Sequence, residues 1–127
     1  MRTDRHFVFA VFSLPGSRNI YLAKAKERNG RIFLKPIGGV MAPGANAQTF
    51  ISRLFCRDFG SDCQVMIKSQ RGWRERPWGY CTAYHFEIIN PDKKAALMLL
   101  EGRFYDLLDK QITLTDTAKL VLQMLNL

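Results

Sequence analysis

Cysteine is scarce in this chain. The three present, Cys56, Cys63 and Cys81, are odd in number and include no Cys-x-x-Cys pair, so neither a disulfide framework nor a zinc site is indicated. A reducing, cytoplasmic compartment is the simpler expectation. Long apolar runs are missing too. The run Phe7 to Leu14 holds eight residues, far short of the ~20 that cross a bilayer. No small-residue cleavage site follows it and Pro15-Gly16 reads as a turn, so a buried strand is expected there rather than a signal core or a transmembrane segment. Acidic residues are the third deficit. Eleven Asp and Glu face nineteen Lys and Arg, a formal charge of +8 that favours anionic partners such as nucleotides, nucleic acid or lipid headgroups without choosing among them. Repeats, low-complexity tracts and Ser-His-Asp or Cys-His signatures are also lacking.

What remains is ordinary globular composition: 127 residues, 47% hydrophobic and 24% charged. That suits one domain over residues 1–127 and excludes collagen-like, coiled-coil and disordered classes. Phe7 to Leu14, rich in Phe and Val, reads as a strand buried on both faces. Ile20 to Lys26 and Arg31 to Ile37 flank Asn29-Gly30, the strongest short hairpin signal. Gly38 to Gly44 reads as a glycine-rich loop that ends the strand. From Ala47 to Phe59 apolar residues recur at helical spacing, and Gly60 closes the helix. Further on, Cys63 to Ile67 reads as a strand, Gln70 to Pro77 as a polar loop, and Trp78 to Ile89 as a long strand. Alternation there sets Tyr80, Thr82, Tyr84, Phe86 and Ile88 on one face and Cys81, Ala83, His85 and Glu87 on the other. Asn90-Pro91-Asp92 reads as a turn, Ala95 to Tyr105 suits either a strand or a helix, and Thr115 to Leu125 reads as a helix capped through Thr113 and Asp116.

A glycine loop leading into a helix offers backbone N–H groups and a positive dipole end to an anion. Here Gly39 is followed after five residues by Ala45, and after seven more by Arg53-Leu54-Phe55-Cys56-Arg57-Asp58-Phe59-Gly60-Ser61. This register resembles the Nudix box: Gly, five residues, Glu, seven residues, then Arg-Glu-apolar-any-Glu-Glu-any-Gly-apolar. Gly39, Arg53 and Gly60 match outright, Phe55 and Asp58 conservatively, and Gly38-Gly39 and Pro43-Gly44 repeat common flanking features of the family. The resemblance to this MutT-like superfamily implies an α/β/α sandwich with a mixed β-sheet. It also implies Mg²⁺ or Mn²⁺ held by box glutamates that act on a diphosphate. The departures fall on that chemistry, with Ala45, Leu54 and Arg57 at glutamate positions and Ser61 at an apolar one. Asp58 is left as the candidate metal ligand, and Asp58 with Glu87 as the candidate catalytic carboxylates.

Three functional classes follow. The leading expectation is a degenerate Nudix domain that binds a nucleotide or other phosphate-containing ligand with hydrolysis lost or reduced. Its contacts would be Gly38, Gly39, Gly44, Arg53, Arg57, Trp73, Arg74 and Arg76. Arg53 and Arg57 lie four apart on one helix face, and Arg71 to Tyr80 interleaves cations with aromatics in the manner of base-stacking, phosphate-neutralising surfaces. The second class is an atypical hydrolase of nucleoside diphosphate derivatives, for which Mg²⁺ or Mn²⁺ would be needed. The third is a non-enzymatic scaffold whose basic face meets RNA or an acidic protein. A homo-oligomer is left open by the sequence.

Overall fold

The computed structural model describes residues 5–42, 45–59, 64–75, 79–89 and 104–127, apart from the side chains of residues 52, 55, 56, 58, 59 and 75. Among these residues nine strands and two helices follow in order: β1 (Arg5–Ser13), β2 (Ile20–Tyr21), β3 (Ala23–Arg28), β4 (Arg31–Lys35), β5 (Ile37–Met41), α1 (Ala47–Phe59), β6 (Val65–Glu75), β7 (Gly79–Ile88), β8 (Phe104–Tyr105), β9 (Ile112–Leu114) and α2 (Asp116–Met124). The turn expected at residues 90–92, and most of the ambiguous stretch from 95 onward, lie outside the described residues.

β1 is the organising element. It pairs in parallel with β7, from Arg5 against Gly79 to Ser13 against Glu87, and antiparallel with β5 and β2. The larger sheet runs β6-β7-β1-β2-β8, with β5 also on β1. Parallel and antiparallel pairs coexist, so the sheet is mixed. Because side chains alternate along a strand, β1 feeds two cores. Val8, Ala10, Phe12 and Leu14 join Ile37, Met41, Tyr84, Phe86 and Ile88 beneath α1, whose Ile51 is buried and whose Phe50 and Leu54 pack against them. Phe9 and Val11 face the opposite way, toward Ala83, Leu34 and the α2 residues Val121, Leu122 and Leu125. Among the described residues one helix covers each face, in keeping with the α/β/α arrangement expected.

Local chemistry sets the boundaries. Asn29 (φ 53°) and Gly30 (φ 75°) turn the β3–β4 hairpin with both central residues at positive φ, as a primed turn needs. Asn46 caps α1, its Oδ1 accepting from Thr49 N at 3.1 Å.

Three expectations are corrected. Gly38 and Gly39 do not end a strand: β5 carries both and pairs with β1 along Ile37–Met41. Residues 70–75 are not a loop, since β6 continues to Glu75 and pairs with β7 throughout. An irregularity between Ile67 and Ser69 shifts its register, which hides the period of two in the sequence. Finally, Thr115 and not Thr113 caps α2, accepting from Ala118 N at 3.2 Å, while Thr113 lies in β9.

Candidate functional site

Most of the described box residues lie on the α1 side. Gly38 (φ 148°) sits opposite Phe9, where a β-carbon would run into the Val8 carbonyl and the Phe9 Cα. Its lack of a side chain serves the close approach of β5 to β1. Gly39 alternates onto the face of Ile37 and Met41, and nothing crowds it. Ala45, Arg53 and Arg57 are exposed, whereas Leu54 is half-buried against the first core. Gly44, Arg76 and the Asp58 side chain lie outside the described residues.

Among the described residues the metal implied by the box finds little to hold it. Hard divalent cations take several oxygen ligands, and three of the box positions that would supply them hold Ala45, Leu54 and Arg57. Among the described residues no group of three His, Cys, Asp or Glu side chains could hold a metal ion. Glu87 does not join α1, because it follows Phe86 and precedes Ile88, both of which face the first core. It therefore points to the α2 face, where its Oε2 lies 3.8 Å from Lys68 Nζ. The sheet stands between α1 and this second candidate carboxylate.

A second candidate site lies on the α2 face. An open groove of about 520 Å³ is lined by Arg5, Phe7, Phe9, Trp73, Cys81, Asp116, Thr117 and Leu120. Period-two alternation brings Arg5, Phe7 and Phe9 onto one side of β1. The Phe7 and Phe9 rings lie nearly parallel, 6.5 Å apart and 8° between planes. Trp73 is set beside them because β6 pairs Trp73 with Cys81. The first turn of α2 supplies Asp116 and Thr117 as a polar wall. Such a volume, apolar lining and few polar groups suit a small flat ligand. Of the candidate contacts among the described residues, only Trp73 enters this groove. Arg74, next in β6, alternates to the α1 face, so the structure separates the expected Trp73 and Arg74 pair. Arg5, Phe7, Phe9, Asp116 and Thr117 went unnoticed in sequence because they come from distant segments. The alternation of Phe7 and Phe9 with buried Val8 and Ala10 was the available signal.

Farther along the same face, Ser13 Oγ and His85 Nε2 are hydrogen-bonded at 2.8 Å. Burial lowers the His85 pKa from 6.5, with Glu87 opposing and Lys68 reinforcing that effect. On the α1 face His6 Nε2 and Thr82 Oγ1 lie 2.9 Å apart. Among the described residues no helix is long and apolar enough to cross a membrane.

No protein-family profile and no curated protein matches the chain. Solved structures do. One is a C. elegans Ap4A hydrolase at 14% identity and TM-score 0.48, covering 72% of this chain and 73% of that one. Another is a Nudix hydrolase from Nitrosomonas europaea at 17% identity and TM-score 0.43, covering 72% and 63%. A third is the Nudix domain of Shewanella oneidensis NrtR, solved with ADP-ribose, at 11% identity and TM-score 0.42, covering 73% and 64%. Two of these three solved structures are described as Nudix proteins. The chain spans less than two thirds of the length of the Nitrosomonas and Shewanella chains. At these identities and scores the likeness carries no argument about function, which rests on the chain's own residues.

Proposed function

We propose that this chain is a Nudix-like domain that binds a nucleotide, with metal-dependent hydrolysis lost or much reduced. The observation that carries the proposal is the groove between β1, β6 and α2. Its stacked Phe7 and Phe9 rings and the Trp73 indole offer flat apolar surface to a base, and Asp116 and Thr117 offer an acceptor and a hydroxyl to its polar edge. Arg5 on the same groove would meet a phosphate. Gly39, Arg53 and Arg57 lie across the sheet from the groove and would contact an anion bound on the α1 side instead, with Gly44, Arg74 and Arg76 as additional candidates.

Reduced hydrolysis follows from the box. A cation approaching α1 meets the exposed Arg57 charge where the family carries a carboxylate. A thermal-shift titration with AMP, ADP and ADP-ribose, with and without Mg²⁺, tests the binding. A ligand held only by the native state raises the melting temperature with its concentration. The expected result is stabilisation independent of Mg²⁺ and no metal-dependent release of product. Efficient Mg²⁺-dependent turnover would instead support the atypical hydrolase, and no stabilisation by any nucleotide would leave the fold as a scaffold.

A further inference from the structure

The smaller sheet, β3-β4-β9, presents a second face that the nucleotide groove does not use. Ile32 and Leu34 of β4 point inward to the second core. Alternation turns Arg31, Phe33 and Lys35 outward. A register shift between Lys24 and Lys26 decides what stands beside them: Lys24 falls opposite Leu34, whereas Lys26 falls opposite Phe33 and Arg28 opposite Arg31. The bulge thus moves two cations to the outer face and leaves Lys24 on the other, where its Nζ is 2.9 Å from Glu27 Oε2. Glu27 is the only carboxylate in the two hairpin strands.

The outer face of the hairpin therefore carries Lys26, Arg28, Arg31 and Lys35, all exposed, around a half-buried Phe33. Arg31 Nη1 reaches Thr113 Oγ1 at 3.4 Å across to β9, the strand whose Thr113 pairs with Phe33. Directly opposed like charges such as Arg28 and Arg31 cost stability in a sheet, a cost that a polyanion laid across them would relieve. Phe33 also borders an open hollow of about 290 Å³, completed by Ala25, Lys26, Arg28 and Thr115. An aromatic ring in a hollow rimmed by cations suits stacking of an unpaired base with its phosphates on the rim. An acidic peptide would use the cations and leave the ring idle, and a duplex would keep its bases from it.

We propose that this face binds single-stranded nucleic acid, with Phe33 stacking a base and Lys26, Arg28, Arg31 and Lys35 holding the backbone phosphates. The hollow shares no lining residue with the nucleotide groove, so the two can be tested apart. Fluorescence anisotropy of a short labelled oligouridylate, repeated with oligothymidylate to separate RNA from DNA, reads the binding. In a salt series, Arg28→Ala and Lys35→Ala should each flatten the slope of log affinity against log salt by up to ~0.7 for every phosphate the side chain had neutralised. Lys24→Ala, on the opposite face, should leave the slope unchanged. Phe33→Leu, which keeps an apolar side chain, should weaken binding about tenfold without altering the slope, and Phe33→Tyr should restore it. Excess AMP should not displace the oligonucleotide.

Absence of binding to either oligonucleotide would overturn the proposal, as would a salt slope indifferent to all the outer-face substitutions. Equal affinity for a same-length RNA duplex would remove the stacking role and overturn it, and equal affinity for polyglutamate would reassign the face to an acidic protein. Displacement by AMP would move the strand into the groove.

Discussion

Ser13 Oγ and His85 Nε2 lie 2.8 Å apart across the parallel β1–β7 pair. His85 is held neutral to lower pH than an exposed histidine because burial penalises its charged form. The unfolded chain takes up a proton at this residue near pH 6.5, and the folded chain does so only below that. Between those two values the unfolded state binds the extra proton, so stability falls as pH drops through the window, and this ring contributes no pH dependence above it. Urea denaturation at several pH values should show this loss in the parent chain and a smaller one in His85→Gln. An identical profile in both would mean that the acid sensitivity arises elsewhere.

The two adjacent glycines of β5 should behave differently. Gly38→Ala forces a side chain into the Val8 carbonyl at a backbone conformation that alanine resists, and a cost of about 1 to 3 kcal/mol in unfolding free energy is expected. Gly39→Ala enters open space and should leave stability nearly unchanged. If Gly39 contacts an anion on the α1 side as proposed, the same substitution should lower the affinity for inorganic pyrophosphate while the denaturation midpoint stays put.

Trp73 and Arg5 divide the groove into stacking and charge. Trp73→Leu should cost about 1 to 3 kcal/mol of binding for both AMP and adenosine. Arg5→Ala should weaken AMP about tenfold and leave adenosine alone, since a charge-assisted contact needs the phosphate. Isothermal titration of both ligands against both variants checks this, and a Trp73 substitution without effect would remove the base from the groove.

Rebuilding the metal box is best begun at its exposed positions. Ala45→Glu with Arg57→Glu adds carboxylates at sites already facing solvent, so the fold should be little disturbed. Leu54→Glu instead places a charge where a side chain packs on the first core, and a loss of stability is expected. If the missing carboxylates are what removed hydrolysis, Mg²⁺-dependent turnover of a nucleoside diphosphate derivative should rise in the double variant. Unchanged turnover would mean that the absent carboxylates at 45 and 57 do not by themselves account for low activity.

Where hydrophobic period and turn chemistry agreed, the sequence was a sound guide. Phe7 to Leu14, the Asn29-Gly30 hairpin and the span of α1 read directly, because one signal dominated each. β6 was obscured because it lies at the edge of the larger sheet, with Lys68, Gln70 and Arg74 facing solvent and a register shift interrupting its alternation. The glycine pair resembles a loop in sequence because β5 uses a side-chain-free position to come close to β1. The groove was the least legible feature. Arg5, Trp73 and Asp116 meet only after the chain has closed on itself, and no local pattern announces that.

The central position of β1 has a consequence for how the chain acquires its structure. Its longest pairing is with β7, which is synthesised much later, and the pair runs in parallel from Arg5 with Gly79 to Ser13 with Glu87. Until β7 has left the ribosome, an apolar strand waits with one edge unfilled, covered on the other by β2 and β5 at most. Long-range parallel pairing is slow to form, and unfilled apolar edges recruit other chains. Nascent chains stalled before residue 79 should therefore be held by chaperones or aggregate, while release after β7 should give a rapid gain in protease resistance.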